Sequence, residues 1–133
     1  MMYEIKSEIM LKEFLNKVEN FHDAIVTELS YVSGSTGAAD SVCPIDRNPT
    51  IAVVFMGAKC GKIVVRFEGV TRATIAPTPQ EYSSQIIEAN ISYNANKFTF
   101  AQFVDNIDDE ITLEIDNGIT IASQQLFYEI IPY

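Results

Sequence analysis

The chain has one histidine, no tryptophan, two cysteines and, beyond Lys97, no basic residue at all. Each shortage closes off a class of function. A single imidazole falls short of the several His and Asp ligands that a metal-dependent hydrolase assembles. Cys43 and Cys60 are too few for a disulfide framework and too far apart for a close-spaced metal-ligand pair. Long apolar runs are missing as well: no stretch approaches the roughly 20 residues of a membrane-spanning helix. The opening Met1-Met2-Tyr3-Glu4 lacks the basic region of a signal peptide, and acids interrupt the apolar residues that follow. Together these shortages predict a soluble, cytoplasmic protein with reduced thiols, no metal and no cofactor.

The shortage of base is local. Acids outnumber bases 18 to 9, for a net charge of −9. Within residues 98–133, Asp105, Asp108, Asp109, Glu110, Glu114, Asp116 and Glu129 stand against no Lys or Arg. A field of that sign repels phosphate, which argues against nucleic acid and anionic membranes as partners; it attracts a basic protein or a cation. Residues 105–110 lack the oxygen spacing and central glycine of a helix-loop-helix calcium site. Their continuation is more informative. Glu110, Thr112, Glu114 and Asp116 alternate with Ile111, Leu113 and Ile115, so a strand here lines its outward face with three carboxylates. Asp108, Asp109, Glu110, Glu114 and Asp116 are therefore the candidate partner-binding residues. They form either a plain solvated face or an acidic docking stripe for a basic protein.

With 133 residues, 47% of them hydrophobic, the chain suits a single domain, 1–133, with a sizeable core. Leu11, Phe14, Leu15 and Val18 fall at helical spacing and predict an amphipathic helix over residues 7–19, with Glu8–Lys12 and Glu13–Lys17 as supporting pairs. Asn20 suits the left-handed position at its end. Strand periodicity then takes over. A strand over residues 23–32 places Ile25, Leu29 and Tyr31 on one face. Residues 33–49, rich in Gly, Ser, Ala and Asp, read as a long loop. Residues 51–56 are apolar on both faces, the mark of a strand covered on each side. Ile63, Val65 and Phe67 alternate with Lys62, Arg66 and Glu68, and a shorter strand follows over 72–76. From 87 to 93 alternation resumes, and a turn over 94–97 pairs Tyr93 with Phe98 and Ile91 with Phe100. A three-residue loop, Asp116-Asn117-Gly118, sets Leu113 opposite Ile121, and a last strand runs over 126–131. The sum is an α+β fold: seven to eight mostly antiparallel strands in a curled sheet or small sandwich, with one N-terminal helix. An edge strand leaves a homodimer open.

Two motifs bear on chemistry. Gly57-Ala58-Lys59-Cys60-Gly61-Lys62 resembles a phosphate loop but is one residue short, lacks Ser or Thr after the lysine, and leads into a strand. It reads as a hairpin turn. Phe21-His22-Asp23 sits where the period changes from about 3.6 to about 2. As strand neighbours, His22 and Asp23 point to opposite faces and do not converge. The structural reading has them satisfying backbone groups at the helix–strand junction while Phe21 packs inward. The catalytic reading pairs His22 with Cys43 or Cys60 in a small hydrolase. A third reading is a small-molecule-binding β domain using the apolar interior of the sheet. The run Phe21-His22-Asp23-Ala24-Ile25-Val26, with Val65-Arg66-Phe67-Glu68-Gly69-Val70 further on, resembles several uncharacterised small bacterial β-rich families, some grouped with immunity proteins of polymorphic toxin systems. That resemblance implies a non-catalytic protein that blocks a toxin by binding it.

Overall fold

Ser7 opens the one α-helix among the described residues. Its side-chain oxygen accepts a hydrogen bond from the Met10 amide at 3.2 Å, satisfying one of the donors that a helix start leaves unpaired. The computed structural model describes residues 1–38, 41–43, 47–76, 89–102 and 118–133. Helix α1 spans Glu8–Lys17, with Leu11 and Phe14 buried on one stripe and Val18 buried at its C-cap. The expected Glu8–Lys12 and Glu13–Lys17 pairs are not among the ion pairs of the described residues. Lys17 instead lies over the ring of Tyr128, its Nζ 6.0 Å from the centroid.

What ends the helix is unusual. Glu19, Asn20 and Phe21 form one 3₁₀-type turn in which all three residues have positive φ, at 53°, 53° and 59°. Asp23 follows at 63°. Left-handed geometry was expected of Asn20 alone; it costs roughly 1–2 kcal/mol for each ordinary residue. The cause is visible in the core. The turn drives the Phe21 ring to complete burial between Phe14, Phe55 and Phe100, at centroid distances of 5.9, 4.6 and 5.8 Å. Burying that ring offsets the local strain. Glu19 is exposed and contributes no apolar burial. Glu19→Gly is therefore expected to raise the unfolding free energy by about 0.5–1 kcal/mol in urea titration, through relief of the left-handed cost.

Among the described residues nine strands pair antiparallel: β1 (Tyr3–Ile5), β2 (Ile25–Val32), β3 (Thr36–Ala38), β4 (Ser41–Cys43), β5 (Thr50–Met56), β6 (Lys62–Ala76), β7 (Ala89–Asn94), β8 (Lys97–Gln102) and β9 (Gly118–Ile131). Seven of them make one open sheet in the order β2-β5-β6-β9-β8-β7, with β1 also paired to β9. The expected α+β fold with a mostly antiparallel sheet is what the chain forms. Strands β3 and β4 form a separate two-stranded sheet where residues 33–49 read as loop. The register Tyr93↔Phe98 and Ile91↔Phe100 is as the sequence predicts.

Other expectations change as well. The strands expected at 62–68 and 72–76 are one strand, β6, which carries its pairing past a bulge between Val70 and Arg72. Those expected at 119–121 and 126–131 are likewise one, β9. At its middle the edge of β9 passes from β8, alongside residues 120–123, to β1, alongside 126–128. Ser123 is fully buried at that changeover, and its hydroxyl donates to the Gln125 carbonyl at 3.0 Å. In β2, a bulge between Val26 and Glu28 reverses the face of everything before it. Val26, not Ile25, joins Leu29 and Tyr31 on the core side.

Ile51, Val53, Phe55, Ile63, Val65, Phe67, Phe100, Ile121 and Leu126 are buried in one core. On β5 and the first part of β6 the buried residues share one face, whereas along β9 the buried parity changes between Ser123 and Leu126. Phe14, Phe21, Phe55, Phe67 and Phe100 form a continuous ring cluster within this core. The other face is only half-buried. Ala52, Val54 and Met56 of β5 lie on it, so this strand is central in the sheet but not covered on both sides as its sequence suggested.

Candidate functional site

Asp108, Asp109, Glu110, Glu114 and Asp116, the expected partner-binding residues, all lie outside the described residues, as do Ile111, Leu113, Ile115 and the Asp116-Asn117 part of the expected loop. Of the seven acids in the last third, Glu129 is described. It is half-buried on β9, and the amino group of Met1 donates to it at 2.9 Å.

The Phe21-His22-Asp23 motif divides its work. Phe21 packs inward as expected, but His22 and Asp23 do not lie on a strand. They follow the left-handed Glu19–Phe21 turn and precede β2, which begins at Ile25; His22 is extended and Asp23 again has positive φ. There the side chains converge rather than diverge: His22 Nδ1 is 3.1 Å from Asp23 Oδ1. The imidazole is 63% exposed, so it faces solvent rather than satisfying the buried junction. The His22 backbone amide does serve the junction, donating to the Glu19 carbonyl at 3.0 Å.

The turn shares one end of the sheet with the loop between β5 and β6. The register Ile25↔Met56 brings the start of β2 beside that loop. Residues 57–61 form the hairpin turn the sequence predicts, closed by a bond from the Gly57 amide to the Gly61 carbonyl at 2.8 Å. Tyr133 joins them, its hydroxyl donating to the Gly57 carbonyl at 2.6 Å. Cys60, a free thiol in this loop, packs partly against the core. Burial pushes its pKa up, a backbone hydrogen bond works against the rise, and the nearby Glu19 carboxylate adds to it. An activated cysteine needs the opposite shift, toward thiolate at neutral pH. Among the described residues no group of three or more His, Cys, Asp or Glu could hold a metal ion.

Sequence reasoning missed the half-buried face of the sheet. On it, Arg66 Nε lies 2.6 Å from Glu68 Oε2, off the line of its N–H, so the contact is an ion pair rather than a hydrogen bond. The guanidinium also stacks over Phe127 at 4.7 Å, and Asn48 Nδ2 donates to the other Glu68 oxygen at 3.2 Å. The register Arg66↔Phe127 and Arg66↔Ala52 sets this group at the middle of the sheet. Alternation in residues 62–68 gave the face of each residue but not which cross-strand neighbours it would meet.

Comparison with protein-family models, with curated proteins and with solved structures found no match. No helix among the described residues is long and apolar enough to cross a membrane.

Proposed function

We propose that the chain is a non-catalytic binding protein whose acidic C-terminal third recognises a basic partner protein. An immunity-type inhibitor of a bacterial toxin is the most specific form of that reading. The observation that carries it is charge segregation: all nine bases of the chain precede Phe98, and seven acids follow it. Charges of one sign gathered in one segment steer an oppositely charged partner and oppose phosphate-bearing ones. Glu129 already has the Met1 amino group beside it, so recognition falls to Asp108, Asp109, Glu110, Glu114 and Asp116. The small-molecule reading needs room in the apolar interior, and there five phenylalanine rings pack against one another. A hydrolase would depend on His22 with Cys43 or Cys60; the Cys60 thiol is shifted the wrong way for a nucleophile, and the Cys43 side chain lies outside the described residues.

The test is capture of the partner from host lysate and titration of the purified pair. Reversing Glu110, Glu114 and Asp116 to Lys is expected to weaken binding by on the order of 100-fold. Raising ionic strength should weaken the unaltered pair in the same direction. Undiminished capture by the triple variant, at low and high salt alike, sinks the acidic-docking reading.

A further inference from the structure

We draw no further inference here: the strongest candidate, the half-buried face of the sheet around Arg66 and Phe127, carries none because nothing in the structure shows what covers it.

Discussion

Phe21→Ala is expected to lower the unfolding free energy by about 3–5 kcal/mol, measured by urea denaturation. Phe21 is the hub of the core: fully buried, its ring touches Phe14 from the helix, Phe55 from β5 and Phe100 from β8. Removing it opens a cavity between three elements rather than within one. It also removes the reason for the turn, since Glu19, Asn20 and Phe21 hold their left-handed geometry only while the ring is pinned. Two consequences separate this account from an ordinary cavity. Phe21→Leu, which keeps an apolar anchor, should cost less, roughly 1–2 kcal/mol. The gain from Glu19→Gly should shrink in the Phe21→Ala background, because that chain is free to leave the left-handed region; a coupling of about 0.5 kcal/mol or more is expected. A loss below about 1 kcal/mol for Phe21→Ala, or full additivity with Glu19→Gly, would show that the strain is held by something other than the ring.

How far the sequence could be read depended on whether a residue's neighbours along the chain were also its neighbours in space. The α1 stripe, the alternation of Ile63, Val65 and Phe67, and the β7–β8 register were legible because each depends on local period and a short turn. Strand length was not. Ser123-Gln124-Gln125 reads as a polar break, yet β9 runs through it, because the break belongs to the neighbouring edge, where β8 gives way to β1. In β2 a single extra residue inverted the assignment of Ile25 and Val26, which periodicity cannot detect without the partner strand. His22 and Asp23 were placed on a strand because strand-like residues follow them. The left-handed turn that makes them converge is imposed from a distance, by the aromatic cluster awaiting Phe21. Of the candidate site, the sequence revealed charge and its segregation. The Arg66–Phe127 group needed two strands far apart in the chain to be brought into register.

Gly61→Ala is the second substitution expected to act strongly, at about 2–4 kcal/mol in the same measurement. The residue has φ of +102°, a region that costs any residue with a Cβ. Space is short as well. A Cβ at Gly61 would stand 2.3 Å from the Ile131 carbonyl oxygen and 2.9 Å from Pro132 Cα, both backbone atoms that cannot rotate away. Relief requires the end of β9 to move, and Lys62↔Ile131 is where β6 and β9 begin their pairing. Displacement there also pulls on Tyr133, whose hydroxyl holds the Gly57 carbonyl. Hydrogen exchange should therefore show lost protection at both ends of this clamp, the Gly57 amide and the last residues of β9, before the rest of the sheet. Gly57→Ala is the contrasting case. Its Cβ would meet Cys60 Sγ at 2.5 Å, a side-chain atom able to swing aside. The expected cost is smaller, about 1 kcal/mol, and pairing it with Cys60→Ala should recover most of that. Equal losses at the two glycines, or a Gly57→Ala cost that Cys60→Ala leaves untouched, would mean that backbone contact with the C-terminal strand is not what fixes Gly61.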